Sequence, residues 1–222
     1  MKILHLETSS KNCSVAVSEG DELLCLCEEY SENYKQSENL HKFVQWALEG
    51  AELKLSDIEC ISLGMGPGSY TGLRIGAAAA KGFCFALNVP LIAINSMDTL
   101  VEPFLGMEYD LIIPMIDARR MEVYTAVYDG KSGDSVQPSQ ALILNETGLA
   151  EFAEQKILIV GDGAKKAQEI LQLPKADYKS GAYPSARYLL RRAAEKAKAG
   201  IFEDIAYFEP FYLKDFHGVK KQ

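Results

Sequence analysis

The chain has 222 residues, 48% of them hydrophobic and 24% charged, the balance of a globular protein with apolar side chains for one large core or two smaller ones. Its 31 acidic residues outnumber 23 Lys plus Arg, a net charge of -8, the wrong sign for a protein that grips a phosphate backbone unaided. No apolar run approaches the roughly 20 residues that span a bilayer, and Glu7 interrupts the start too soon for a signal peptide, so a cytoplasmic location is expected.

The first segment, Lys2 to Leu6, reads as a strand that ends at the polar cluster Glu7-Thr8-Ser9-Ser10-Lys11-Asn12. Short strands at Cys13 to Val17 and Leu23 to Glu28, separated by a turn at Ser18 to Asp21, complete an antiparallel meander. From about Glu38 to Glu52, Leu40, Phe43, Val44, Ala47, Leu48 and Ala51 recur at helical spacing. The buried strand Cys60 to Leu63 then runs into Gly64-Met65-Gly66-Pro67-Gly68. Gly66 and Gly68 permit a tight turn with outward N–H groups, and Ser69 or Thr71 is placed to cap a helix running from about Gly72 to Leu87. Such a loop is of the kind that cradles a phosphate. It lacks the Gly-Lys-Ser/Thr of a P-loop, and Lys81 lies more than two turns into the helix.

The second half repeats the pattern. Leu111 to Ile116 runs into Asp117-Ala118-Arg119-Arg120, then Glu122 to Tyr128 and Asp129-Gly130; thirteen positions separate Glu7 from Gly20 and Asp117 from Gly130 alike. Ile157 to Val160 leads into a second glycine loop, Gly161-Asp162-Gly163, again followed by a helical stretch. A last helix is expected from Pro184 to Lys198, with Ala186, Leu189, Leu190, Ala193 and Ala197 as its apolar stripe. Its other face carries Arg187, Arg191, Arg192, Lys196 and Lys198, read as a solvated face or a contact to a nucleic acid or an acidic partner.

Two copies of meander, helix, strand, glycine loop and helix are the skeleton of an α/β protein with the actin-like ATPase and sugar-kinase (ASKHA, RNase H-like) fold, two related lobes from an internal duplication. The lobe boundary is set near Pro103, giving lobes of 1–102 and 103–222. A Rossmann unit fits less well, since its first strand meets a glycine fingerprint directly and does not fold into a meander. The five cysteines Cys13, Cys25, Cys27, Cys60 and Cys84 have no metal-type spacing and read as buried or half-buried thiols.

The string Gly66-Pro67-Gly68-Ser69-Tyr70-Thr71-Gly72-Leu73-Arg74-Ile75-Gly76 resembles the signature of the TsaB (YeaZ) family. The opening Ile3 to Ser9, Ala80-Lys81-Gly82, Asp117-Ala118-Arg119, Glu122-Val123-Tyr124 and Pro210-Phe211-Tyr212-Leu213-Lys214 are similar to family positions too, over nearly the whole chain. Glu7 stands where the family usually has Asp, and Lys214 where Arg is commoner. The resemblance implies a cytosolic, non-catalytic subunit that joins a catalytic TsaD-type paralogue and a TsaE-type ATPase to place threonylcarbamoyl on an adenosine of tRNA. It implies contact with tRNA only through the complex, a homodimer when isolated, and no cofactor. The paralogue holds a metal with a His-x-x-x-His pair, replaced here by Ser96 and Leu100. His5, His41 and His217 show no ligand spacing.

Glu7 and Asp117, at equivalent places in the two repeats, would hold magnesium-bound water in a working member of the fold. With no lysine placed to grip phosphate, they and the loop residues Gly66, Gly68, Ser69 and Thr71 read as a vestigial phosphate site or as turn caps. The expected partner interface is Leu40, Phe43, Val44 and Ala47 of the first helix with Gly72, Ile75, Gly76, Ala79 and Phe83 of the second, packing on the chain's own sheet being the alternative. A small ATP-dependent kinase or transferase is the competing function, supported by fold analogy alone; a metallopeptidase lacks its histidine pair. The charge balance predicts that the isolated chain binds tRNA more weakly than about 1 μM in ~150 mM salt. Titration of labelled tRNA, read by fluorescence anisotropy, checks this.

Overall fold

A computed structural model describes residues 1–32 and 36–214; His217 lies outside them. Strands β1 (Lys2–Glu7), β2 (Asn12–Glu19) and β3 (Glu22–Tyr30) form the first meander, followed by α1 (Gln36–Gly50), β4 (Cys60–Gly64), α2 (Tyr70–Leu87) and β5 (Leu91–Ile94). They make a sheet of order β3-β2-β1-β4-β5. The meander pairs are antiparallel across short turns, and the helical crossovers place β4 and β5 parallel to β1, as connection length dictates.

After α3 (Ser96–Val101), β6 (Leu111–Asp117), β7 (Glu122–Asp129), β8 (Ser135–Ile143), β9 (Ile157–Val160), α4 (Ala164–Gln168) and β10 (Ala176–Lys179) build a second sheet of order β10-β9-β6-β7-β8. Taken from its third strand, each sheet has the same order, third-second-first-fourth-fifth, with the same two parallel additions. The duplication is therefore structural. The second copy is reduced: only a 3-10 turn at Ala150–Phe152 stands where α1 stands in the first, and α4 has five residues where α2 has 18.

Each sheet is covered on both faces. In the first, Leu4, Leu6, Val15 and Val17 pack under α1 and α2. Its other face, Ile3, Ala16, Cys60, Ile92 and Ile94, packs against Ala186, Leu189, Leu190 and Ala193 of a 3-10 turn and α5 (Leu190–Lys198). The expected helix from Pro184 thus begins as a 3-10 turn, with Ser185 accepting the Arg187 N–H at its cap. In the second sheet, Ile112, Ile116, Ala126 and Leu158 pack against Met97, Leu100, Val101 and Phe104 of the α3 region. The lobes therefore exchange helices: α3 follows the first sheet but packs on the second, and α5 follows the second sheet but packs on the first. A boundary at 102/103 separates both helices from the sheets they cover.

The same packing corrects the reading of several expected interface residues. Leu40, Phe43, Val44 and Ala47 are buried against the first sheet. Ala79 is also buried, and Gly72 and Gly76 face β1's turn so closely that a Cβ would strike the Thr8 carbonyl oxygen or the Thr8 hydroxyl. The small stripe admits the chain's own backbone. Ile75 and Phe83 are half-buried beside this core. The basic face of α5 is likewise engaged internally: Arg191 pairs with Glu102 (2.5 Å) and Glu195 (2.7 Å), Arg192 with Asp98 (3.6 Å), and Lys196 donates to the Ala93 carbonyl (2.6 Å). Gly76→Leu is expected to lower stability by about 1–3 kcal/mol or more through overpacking against Thr8 and Leu63, seen as a lower urea midpoint without loss of m-value.

Candidate functional site

The two glycine loops and the two first-strand acids lie where the fold family handles phosphate, so their geometry decides what the site can do. Glu7 ends β1 fully buried. One carboxylate oxygen accepts the Ser9 N–H (2.7 Å) and the other the Ser96 hydroxyl (3.0 Å). Ser96 in turn accepts the Gly66 N–H (3.1 Å) and donates its own N–H to the Gly66 carbonyl (2.8 Å). Gly64 is required beside this group, because a Cβ there would collide with the Glu7 carboxylate. Burial raises the Glu7 pKa above its ordinary 4.5, and the hydrogen bonds from Ser9 and Ser96 oppose the shift. A carboxylate closed in this way holds α3 to the glycine loop and has no face left for magnesium-bound water.

The loop itself is shut against the β1–β2 turn. Ser69 donates its N–H to the Ser9 carbonyl (2.6 Å), and the Thr8 hydroxyl donates to the Gly72 carbonyl (2.8 Å). At Gly68 a Cβ would meet the Ser9 carbonyl oxygen. Ser69 is the α2 cap, accepting the Gly72 N–H at 3.3 Å; Thr71 is exposed. In the second lobe Gly161 and Gly163 donate to the Lys179 (3.1 Å) and Met115 (3.0 Å) carbonyls. Asp162, its pKa raised chiefly by burial, accepts the Asp117 N–H (2.8 Å). Asp117 pairs with Lys166 (2.9 Å), which also donates to the Arg120 and Glu122 carbonyls. A phosphate cradle needs loop N–H groups aimed at the ligand. In the first loop the Met65, Gly66 and Ser69 N–H groups are committed to the chain, and in the second those of Gly161 and Gly163, which leaves few aimed at a phosphate.

Sequence spacing could not show that these loops are shut, because the closing groups, Thr8, Ser9 and Ser96, come from distant elements. Among the described residues no three or more His, Cys, Asp or Glu are grouped to hold a metal ion. His5 is buried against Ser18 (2.8 Å), which pushes its pKa down to about 3, and His41 is exposed on α1. Cys13, Cys60 and Cys84 are buried and Cys25 and Cys27 half-buried; burial raises the Cys13 and Cys60 thiols to about 12, far from reactive thiolates.

On the opposite side of α2 large apolar rings stand among exposed polar residues such as Arg74 and, on α1, Gln45 and Glu49. Phe85 is 87% exposed and Trp46 of α1 52% exposed. Ala78 and Ala86 lie on the same outward stripe, and nothing stands within 4 Å of where a Cβ on Gly82 would be. Phe43 supports Trp46 (ring centroids 5.7 Å), and Phe83 meets His41 edge-on (5.8 Å). Sequence reasoning chose these two helices but missed Trp46 and Phe85. Trp46 falls outside the periodic apolar set of α1, which was itself the available signal.

Duplicated sheets, crossing helices and paired glycine loops define an actin-like, two-lobed α/β protein. A family model described as "TsaD: tRNA N6-adenosine threonylcarbamoyltransferase" matches residues 31–215. The "tRNA threonylcarbamoyladenosine biosynthesis protein TsaB" of Bacillus subtilis is 30% identical over 178 residues, 78% of this chain and 76% of that protein. Its Escherichia coli namesake is 31% identical over 129 residues, 58% of this chain and 55% of that protein. The structure of YeaZ from Pseudomonas aeruginosa superposes with a TM-score of 0.78 at 27% identity, covering 96% of this chain and 100% of that one. The chain belongs to the TsaB (YeaZ) family.

The buried carboxyl of Glu7 gives a test in pH. With a folded pKa above its unfolded value, its stabilising contribution is full below about pH 4.5 and is lost as pH rises through the folded value. His5, shifted down, acts oppositely on acidification, so the difference between wild type and Glu7→Gln isolates Glu7. Relative to wild type, Glu7→Gln is expected to gain stability between pH 4.5 and 8; urea unfolding at a series of pH values measures the difference, and a constant difference refutes the buried-charge account.

Proposed function

We propose that the chain is a non-catalytic subunit in the formation of N6-threonylcarbamoyladenosine in tRNA, working by docking onto a catalytic TsaD-type paralogue that a TsaE-type ATPase serves. The observation that carries this reading is the pairing of two shut glycine loops with an aromatic surface on α1 and α2. Surface rings as exposed as Phe85 and Trp46 on adjacent helices are the composition of an interface anchor. Small Ala78, Gly82 and Ala86 around them let a partner helix approach closely. The names of the relatives supply the pathway, and Ser96 and Leu100, in the places where the paralogue carries histidines, support a non-catalytic role: both are buried, one tied to Glu7.

The same face is proposed to cover itself as a homodimer in the isolated protein, since a two-fold contact reuses one patch on both copies. Contact with tRNA is proposed to come through the assembled complex, in the cytoplasm. Among the described residues no helix is long and apolar enough to cross a membrane. A small ATP-dependent kinase is the competing function, and several of the loop N–H groups it would need are used internally.

Trp46→Glu and Phe85→Glu are expected to weaken binding to the paralogue by about tenfold or more each, with melting temperatures close to wild type because both side chains face solvent. Calorimetric titration of each variant with the purified paralogue measures this. Wild-type affinity in both variants sinks the docking surface, and turnover of Mg-ATP with a small-molecule acceptor by the chain alone would favour the kinase.

A further inference from the structure

Beyond α5 the chain recrosses the molecule. Glu203 bridges to Leu91 at the edge of the first sheet, and Phe208 is buried in the first lobe's core. Phe211 donates its N–H to the Met65 carbonyl (2.8 Å), at the glycine loop. The Tyr212 ring lies on Tyr70 with centroids 5.0 Å apart, and Arg74 stands over the Tyr70 ring at 5.5 Å. Lys214 then forms an ion pair with Glu122, which opens β7 in the second lobe. Beside Phe211 lies an open cavity of about 400 Å³, lined also by Met65, Asn95, Asp98, Tyr128 and Arg192.

We propose that residues 209–214 are an inter-lobe latch, anchored on the first lobe and closed onto the second by the Lys214–Glu122 pair, which holds the lobe angle. The asymmetry of its contacts carries the argument. At the first-lobe end the anchors are a buried ring, a backbone hydrogen bond and a ring stack. At the second-lobe end the closing contact is an ion pair with side chains 39% and 19% exposed, the class of contact that breaks and remakes most easily. Glu122 is itself fixed, since its carbonyl accepts from Lys166 (2.7 Å). On the far side of the cavity α3 and α5 meet through Arg191–Glu102 and Arg192–Asp98, charged contacts about which the lobes can turn when the latch is open.

Amide hydrogen exchange on the full chain tests the latch. Lys214→Glu, and Lys214→Met as a variant that keeps the apolar stem, are expected to speed exchange by about fivefold at Phe211 and in the 118–122 turn, while β1 and β4 keep their protection. Glu122→Lys should do the same, and the double exchange Lys214→Glu with Glu122→Lys should restore protection. Unchanged exchange in both Lys214 variants overturns the proposal, as does a double variant no better protected than either single one. Exchange that rises uniformly through the strands of both sheets in Lys214→Met also overturns it, because the pair would then support the fold as a whole.

Discussion

The contact of the Thr8–Ser9 backbone with the loop and helix that begin at Gly66 constrains most of what the molecule can do. Carbonyl oxygens of the turn reach the positions that side chains at Gly68 and Gly72 would fill, and the Ser9 carbonyl takes the Ser69 N–H. That approach fixes where α2 starts and which of its faces lies against the sheet. It also takes up the Ser69 N–H. One set of contacts therefore narrows the loop and turns the Phe85 face of α2 outward.

Glu7 has a structural role in this molecule. Its carboxylate carries a desolvation penalty, and hydrogen bonds from Ser9, Ser96 and Thr8 offset part of that cost. Of the donors, two bracket the site: Ser9 follows it in the turn and Ser96 lies across the loop. The second donor, Ser96, begins the helix that packs on the other lobe. A buried carboxyl thereby orients the chain at the point where it leaves the first sheet. Leu100, one turn further along α3, sits in the second lobe's core. With a hydroxyl and an isobutyl group at these two places, the helix start is a structural joint between loop, sheet and partner lobe.

The duplicated architecture was legible in the sequence because it rests on local signals: alternation in the meanders, glycine loops after buried strands, and the equal acid-to-glycine intervals. The cap at Ser69 was legible for the same reason. Which helix residues face outward was less legible. Periodicity marks which helix face is apolar, and on α1 and α2 that face lies on the sheet; an outward aromatic residue breaks the period, as Trp46 does. The exchange of α3 and α5 between lobes left no local trace, since which sheet a short helix covers is set by tertiary packing. The basic residues of α5 were misread as a free face because Glu102 and Asp98 lie about ninety residues away in sequence.

The fate of those charges bears on how a chain of net charge -8 can belong to a family named for work on tRNA. With Arg191 and Arg192 in ion pairs and Lys196 donating to the Ala93 carbonyl, the expected basic face keeps only Arg187 and Lys198 outside such contacts among the described residues, too few for an appreciable counterion-release term. On the proposed reading, an acidic chain of this kind would contribute through shape and apolar contact, and electrostatic attraction to tRNA would come from the other members of the assembly, since a net negative charge disfavours unaided contact with a phosphate backbone.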